Sequence, residues 1–158
     1  GPQKGASDAH IRLLTGRLER LVQVYEECYG VDVSAMDRAG AAGGLAGGLA
    51  ARGAQLVDGV DLVAEEVRLD EHLAGADLVV TGEGRLDATS MVGKVVGGVA
   101  AYAVAASVPL LVVVGSADPD VVVPGDVLSL VDLFGLDRAQ TDTGACVTEA
   151  VAGWLAGR

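Results

Sequence analysis

Residues 77–81 read DLVVT, residues 109–114 read PLLVVV, and the apolar residues 95–107 between them have a helical pattern. Short runs rich in Val and Leu and bounded by Gly or Pro are typical of buried strands. Strand, helix and second strand make a βαβ unit, whose strands are parallel and whose crossover is right-handed. We therefore predict an α/β fold with a mostly parallel, Rossmann-like sheet flanked by helices.

The composition agrees with this fold. The chain has 158 residues, of which 51% are hydrophobic but only 3% aromatic. Val, Leu and Ala must therefore fill the interior, as they do in parallel sheets covered by helices. The length suits one domain with a real core.

The charge excludes some partners. A formal net charge of -11 would repel a phosphate backbone, so nucleic acid is not expected as a partner. The apolar runs are too short to span a membrane, and no signal peptide is recognisable, so we expect a soluble, cytoplasmic protein. Cys28 and Cys146 lack metal-ligand spacing and are predicted to be reduced core residues.

Outside the βαβ unit, helices and one further strand are predicted. Ser7 suits the N-cap of an amphipathic helix that ends near Gly30. Residues 39–52 are rich in Gly and Ala and favour a second, closely packed helix, in which Leu45 and Leu49 share a face. A short extended piece at 55–57, helices at 60–67 and 70–73, a third strand at 127–133 and a last helix at 141–156 complete the pattern.

A glycine-rich polar stretch, TGEGRLDATSMVGK, follows the first strand at residues 81–94. In open α/β sheets, ligands lie beyond the carboxyl ends of the strands. Neither the Walker pattern nor the dinucleotide fingerprint fits, because Val95 follows Gly93-Lys94 and Asp87 stands where a third Gly is required. A glycine-rich turn held by salt bridges is the alternative interpretation of this stretch.

Four stretches together resemble one known family. They are GPQKGAS at 1–7, AGAAGGL at 39–45, DLVVTGEGRLDATSMVGKVVGGVA at 77–100 and VVVGS at 112–116. In this order they are similar to the glycerate kinase family, which phosphorylates D-glycerate with ATP and Mg²⁺.

The resemblance covers only the later portion of a family member. Family proteins have two α/β domains with the active site in the cleft. The resemblance therefore implies that residues 1–38 belong to the neighbouring domain or the domain junction, and that residues 39–158 form a partial Rossmann-like domain. We expect weak or absent kinase activity for this chain alone, and the alternative is a non-catalytic α/β fragment with a structural or ligand-binding role.

With that reaction in view, position and charge suggest catalytic roles. Asp87 would orient the accepting hydroxyl or hold Mg²⁺, and Glu83 is the second choice for both roles. Arg85 would bind the substrate carboxylate or a phosphate.

Further residues are candidates for phosphate or substrate binding. Gly82 and Gly84 would admit close backbone approach, and Lys94 would reach a phosphate at the start of the next helix, unless it is simply an exposed lysine. Lys4 would hold an anion, the alternative being a mobile terminal lysine.

Two predictions remain. Gly43 and Gly44 would allow a ligand to approach, and close helix packing is the alternative explanation for them. An open sheet edge would favour a homodimer.

Overall fold

The computed structural model describes residues 5–91 and 94–158, so Lys4 lies outside the described residues. The chain divides into two compact units, Gly1–Val57 and Asp58–Arg158. Residues 39–57 are thus grouped with the first helix, whereas the sequence placed a division after residue 38. The assignment of residues 1–38 to a neighbouring domain stays a prediction.

The first unit is helical. Its elements are α1 (Asp8–Tyr29), a 3₁₀ turn (Ala41–Gly44) and α2 (Leu45–Ala50). The Ser7 hydroxyl accepts the His10 N–H at the start of α1, and Gly30 ends the helix with φ 68°. Both predicted ends of this helix are confirmed.

The glycines of α2, rather than its leucines, make its contacts. A Cβ on Gly47 would lie 3.0 Å from the Ala39 carbonyl oxygen, and one on Gly48 would lie 2.8 Å from the Tyr25 hydroxyl. Leu45 and Leu49 are exposed, so their shared face does not pack within the unit as the sequence suggested.

The second unit is the α/β unit. It contains α3 (Gly59–Glu66), α4 (Leu69–Leu73), β1 (Val79–Leu86), a 3₁₀ turn (Ala88–Met91), α5 (Val95–Ala106), β2 (Leu110–Ala117), β3 (Asp126–Ser129), α6 (Leu130–Phe134), α7 (Leu136–Thr141) and α8 (Thr143–Ala156). The strands form one sheet in the order β1-β2-β3, and both pairs are parallel. The predicted α/β class with a parallel sheet is confirmed.

Two hydrophobic clusters cover the sheet. Val112 and Val114 of β2 face one cluster together with Val96 and Ala100 of α5. Val113 lies between them in sequence and packs against the other cluster, which α6, α7 and α8 form and which includes the fully buried Cys146. The alternation along β2 therefore produces a helix–sheet–helix sandwich. Cys146 is a core residue as predicted, but the prediction for Cys28 was wrong, because it lies exposed in α1.

The largest difference from the sequence prediction concerns β1. The predicted strand ended at Thr81, yet β1 continues to Leu86, with Glu83 opposite Val114 and Arg85 opposite Ser116. The glycines that resembled a loop are what permit the pairing, since a Cβ on Gly82 would overlap the Val113 carbonyl oxygen. The backbones of β1 and β2 approach too closely there for a side chain.

Residues 55–57 lie outside the helices and strands. Two other predictions need correction. β3 ends at Ser129, whose hydroxyl accepts the Asp132 N–H and so begins α6 inside the predicted strand 127–133. The last helix starts at Thr143, because residues 136–141 form a helix of their own.

Among the described helices, none combines the length and the apolar character needed to cross a membrane.

Gly115 tests whether close backbone contact holds β1 against β2. A Cβ there would overlap the Gly84 carbonyl oxygen, so we expect Gly115→Ala to lower the free energy of unfolding by about 1–3 kcal/mol in urea denaturation. Gly153→Ala is the matched control, because nothing lies within 4 Å of its Cβ position in α8, and it should stabilise by about 0.5–1 kcal/mol. Equal midpoints for the two variants would contradict this explanation.

Candidate active site

A hydrogen-bonded group of side chains stands directly beyond the carboxyl end of β1. Asp87 Oδ1 accepts hydrogen bonds from the Thr89 N–H at 2.8 Å and from the Thr89 hydroxyl. Lys94 Nζ donates to that hydroxyl oxygen at 2.6 Å and lies 3.9 Å from Asp87 Oδ1. We call these three residues the Asp87 cluster. It joins an anion and a cation at the edge of the sheet where ligands bind in open α/β folds.

The turn that carries this cluster is anchored by a buried hydroxyl. Ser90 has no exposed surface, and its Oγ accepts the Asp87 N–H at 3.0 Å. The Ser90 N–H in turn donates to the Asp87 carbonyl oxygen at 2.9 Å. These reciprocal bonds hold the backbone of Asp87 while its side chain stays partly exposed.

The cluster favours the ionised form of Asp87. The Thr89 hydroxyl and backbone N–H donate hydrogen bonds that lower the pKa of Asp87 below its usual 3.8. Partial burial of the carboxylate raises the pKa, and the positive charges of Lys94 and Arg85 lower it further. Asp87 is therefore a carboxylate at neutral pH.

Lys94 connects this cluster to a cavity. The side chain comes from the N-cap position of α5, so the ammonium group and the positive end of a 12-residue helix adjoin each other. The cavity has a volume of about 660 Å³ and lies among α3, α5 and β1. Valines and other small apolar residues make up most of its lining, and Glu83 and Lys94 are its charged residues.

Glu83 is the second carboxylate of the region. Its side chain is partly buried, and Oε1 is fully buried without a hydrogen-bond partner among residues 5–91 and 94–158. Burying a carboxylate oxygen without a partner is costly. The position therefore suits a group that donates a hydrogen bond or carries positive charge.

Arg85 is engaged elsewhere. Its guanidinium donates to Asp118 Oδ1 at 2.9 Å, joining the carboxyl ends of β1 and β2 across the surface. Both side chains are largely exposed, so the pair contributes roughly 0–1 kcal/mol and can exchange for a ligand at little cost. Of the predicted residues, the structure thus brings Asp87 and Lys94 into contact and holds Arg85 on a different partner.

The predicted glycines divide by their surroundings. Gly82 lies in the tight β1–β2 pairing and also lines the cavity, whereas a Cβ on Gly84 would meet nothing within 4 Å. In the first unit, Gly43 has φ +70° and open space around it. Gly44 has φ +92°, and a Cβ there would lie 2.5 Å from Leu21 Cδ2. Close packing against α1 therefore explains Gly44.

The first unit has a cavity of its own. It measures about 400 Å³ and adjoins the turn that ends at Gly44. Ala42 in this turn and Arg38, three residues before the turn begins, hold positive φ angles of 51° and 69°, a conformation that side chains disfavour. Arg38 also lines the cavity.

Two residues of the site were not singled out by sequence reasoning. Thr89 links Asp87 to Lys94, and Ser90 anchors the turn. A usable signal was present, because Asp followed two and three residues later by Thr and Ser is typical of side chains that close a turn onto the backbone.

The described residues do not bring together three carboxylate, imidazole or thiolate groups in the manner of a metal cage. Mg²⁺ seldom uses such a cage, since it is commonly held by one or two carboxylates together with phosphates and water. Asp87 meets this smaller requirement, because Oδ2 accepts no hydrogen bond from the described part of the chain.

Comparison with known proteins identifies the family. The model of the glycerate kinase family matches residues 1–151. The chain belongs to the glycerate kinase family. Glycerate 2-kinase of Escherichia coli K12 is 43% identical over 122 residues, which are 77% of this chain and 32% of that protein. A glycerate kinase of Halalkalibacterium halodurans is 44% identical over 117 residues, 73% of this chain and 31% of that protein.

A solved structure extends the similarity to the fold. A crystal structure described as glycerate kinase 2 from Salmonella typhimurium LT2 matches with a TM-score of 0.62 and 36% identity, over 99% of this chain and 43% of that one. In the curated relatives described above, the matched segment spans about a third of the length of the protein. The resemblance found in the four sequence stretches, including its restriction to part of a family member, is confirmed.

The pKa of Asp87 gives a test of the cluster. In a carboxyl-carbon NMR titration, Asp87 should titrate below pH 3.8, and Thr89→Val should raise the midpoint more than Lys94→Met does, because the Thr89 bonds are the larger cause. A folded-state pKa below the unfolded value means that ionised Asp87 stabilises the fold above about pH 3.8. That stabilisation is lost as the pH falls through the folded-state pKa.

Denaturation supplies the second measurement of this prediction. Asp87→Asn should lower the urea midpoint at pH 7, and the difference from wild type should disappear below the folded-state pKa. A wild-type titration midpoint at or above 3.8 would contradict the geometry of the cluster.

Proposed function

We propose that this chain carries part of the site at which a D-glycerate kinase transfers the γ-phosphoryl group of ATP, with Mg²⁺, to glycerate. Membership of the glycerate kinase family supports the reaction class. The name of the E. coli relative, glycerate 2-kinase, favours the hydroxyl at carbon 2 as the acceptor. A cytoplasmic location stays a prediction.

The observation that carries this proposal is the Asp87 cluster at the start of α5. Phosphoryl transfer needs cationic and N–H groups for the phosphates and a carboxylate for the metal ion or the accepting hydroxyl. Lys94 supplies the ammonium group at a helix N-terminus, which attracts anions. It is the only lysine in the described part of the chain.

Asp87 is the carboxylate for metal or hydroxyl. Oδ1 is committed to Thr89, which fixes the rotamer and leaves Oδ2 to contact Mg²⁺ or accept a hydroxyl hydrogen. A carboxylate with a lowered pKa is a weak proton acceptor, so orienting the hydroxyl or holding Mg²⁺ suits Asp87 better than abstracting a proton.

Glu83 and Arg85 take supporting roles. The buried Glu83 oxygen adjoins the cavity that Lys94 also lines, and it would accept a hydrogen bond from a bound hydroxyl or face a metal ion. Arg85 would exchange Asp118 for the carboxylate of glycerate or a phosphate, gaining a bidentate contact. Gly82 lines the cavity, and the Cβ positions of Gly84 and Gly43 have open space around them, so these three glycines would let a ligand approach the backbone closely.

A non-catalytic role remains the second candidate, and one observation favours it. The chain aligns with only 43% of the Salmonella structure, so it contributes only part of a family site. We therefore expect weak or absent turnover from the chain alone, with any residual function in binding.

Calorimetry with MgATP, with and without D-glycerate, tests the proposal. We expect measurable MgATP binding to the wild-type chain and a loss of about 10- to 100-fold in affinity for Lys94→Met, because a charged hydrogen bond is worth about 1.5–3 kcal/mol. Asp87→Asn should weaken binding in Mg²⁺ but change it little in EDTA, since its role is metal-dependent.

Asp137→Asn is the control for the loss of a carboxylate, because this exposed residue lies in α7 and outside the cavity that Lys94 lines. Urea midpoints of all variants separate binding defects from unfolding. Equal MgATP affinity in wild type and Lys94→Met would refute the assigned role of Lys94. Absence of MgATP binding to the wild-type chain would favour the non-catalytic role.

A further inference from the structure

The cavity beside Lys94 is larger and more apolar than glycerate requires. Its volume of about 660 Å³ lies within the range of about 300–1,000 Å³ that is usual for sites enclosing small organic ligands. Among the described residues that line it, Glu83 and Lys94 alone are charged, and the others are Val, Leu, Ala and Gly. Glycerate carries a carboxylate and two hydroxyls on three carbons, and apolar walls would not replace the hydration of these groups. The lining therefore suits a ligand with a large apolar part.

The apolar residues of the lining differ in exposure. Leu69 and Val99 are partly buried and pack against the hydrophobic cluster between α5 and the sheet. Val63, Val67 and Val95 line the same cavity, and each is more than half exposed. A flat ring that enters the cavity would cover these exposed valines and rest on residues joined to the core, and removing apolar surface from water is favourable.

Two polar groups of the cavity would fix the direction of a bound ligand. Lys94 Nζ donates to the Thr89 hydroxyl oxygen, so this side chain connects the cavity to the Asp87 cluster. Glu83 Oε1 is fully buried and has no hydrogen-bond partner in the described part of the chain. A hydroxyl on the ligand would supply the missing donor. Acidic residues bind ribose hydroxyls in this way in dinucleotide-binding α/β folds.

We propose that this cavity holds the nucleoside part of ATP, with the base among the valines of α3 and α5 and a ribose hydroxyl donating to Glu83 Oε1. The polyphosphate then leaves the cavity past Lys94, and the γ-phosphoryl group reaches the Asp87 cluster. Glycerate is left to the open side of that cluster, where Arg85 is exposed. The inference rests on the proposed use of ATP, and it assigns the two substrates to different places.

Calorimetry with two nucleotides tests the hydroxyl contact. ATP and 2′,3′-dideoxy-ATP differ only in the ribose hydroxyls. The wild-type chain should bind the Mg²⁺ complex of the dideoxy compound about tenfold more weakly, as expected for the loss of a hydrogen bond to a charged group. Glu83→Leu removes the acceptor and should bind the two nucleotides with equal affinity. A merely structural effect of this substitution would weaken both nucleotides alike and leave the ratio of their affinities unchanged.

Val63→Asn tests the apolar wall without adding a charge. It should weaken the binding of MgATP about tenfold and leave the binding of the Mg²⁺ complex of tripolyphosphate unchanged, because tripolyphosphate has no base to place against the wall. Val104→Asn is the matched control, since Val104 has similar exposure, 57% against 59%, but lies outside the cavity lining. This control should bind both ligands as the wild-type chain does.

Methyl NMR with adenosine separates this inference from the phosphate chemistry. Adenosine has no phosphate, yet it should shift the methyl signals of Val63 and Val67 and leave those of Val104 in place. Lys94→Met should bind MgATP more weakly than the wild-type chain and should still show the shifts with adenosine.

Two results would overturn the inference. One is the same ratio of ATP to dideoxy-ATP affinity in the wild-type chain and in Glu83→Leu. The other is the absence of shifts at Val63 and Val67 with saturating adenosine. MgATP binding that depends on Lys94 without these shifts would exclude the nucleoside site alone, whereas adenosine shifts without any dependence of MgATP binding on Lys94 would exclude only the proposed phosphate contact.

Discussion

The structure depends on the parallel pairing of β1 with β2, which continues as far as Leu86 because glycines let the two backbones lie close together. Gly82 and Gly115 let the two backbones approach where any Cβ would strike a carbonyl oxygen. The pairing closes with the Asp118 N–H donating to the Leu86 carbonyl oxygen at 2.9 Å. Asp87 is therefore the first residue beyond a rigid strand, and its backbone position is set by the sheet.

Beyond the end of β1, hydrogen bonds hold the side chains of Asp87, Thr89 and Lys94 in place. The hydroxyl of Thr89 donates to Asp87 and accepts from Lys94, so an anion and a cation are held through one neutral group. The three side chains are largely or partly exposed, and such contacts add little to stability. In the proposed function, this arrangement positions a carboxylate and an ammonium group for a ligand.

The same strand faces two ways. Its inner side pairs with β2 and presents Asp87 at the end of the sheet, while its outer side has no partner in the described chain. The matched segments make up about a third of the length of the curated relatives.

The sequence by itself determined the class of the fold and the family, and it supplied the residues of the proposed site. Val and Leu runs around a helical segment specify a βαβ unit, because burial on both faces requires continuous apolar strands. Asp87 and Lys94 were predicted because their charges flank a glycine-rich stretch at the end of a strand. The cap at Ser7 and the stop at Gly30 follow from local hydrogen bonding alone.

Only the tertiary structure decided how the glycines and partners are used. Gly82 and Gly84 suggested a loop, and their place in β1 emerged only when β2 lay against them, because glycine is tolerated in a strand where another backbone comes close. Arg85 pairs with a residue 33 positions away, and Thr89 and Ser90 act through contacts that depend on the path of the turn. The local sequence shows which polar groups a segment carries. The partners of those groups depend on how segments that are distant in the chain pack against one another.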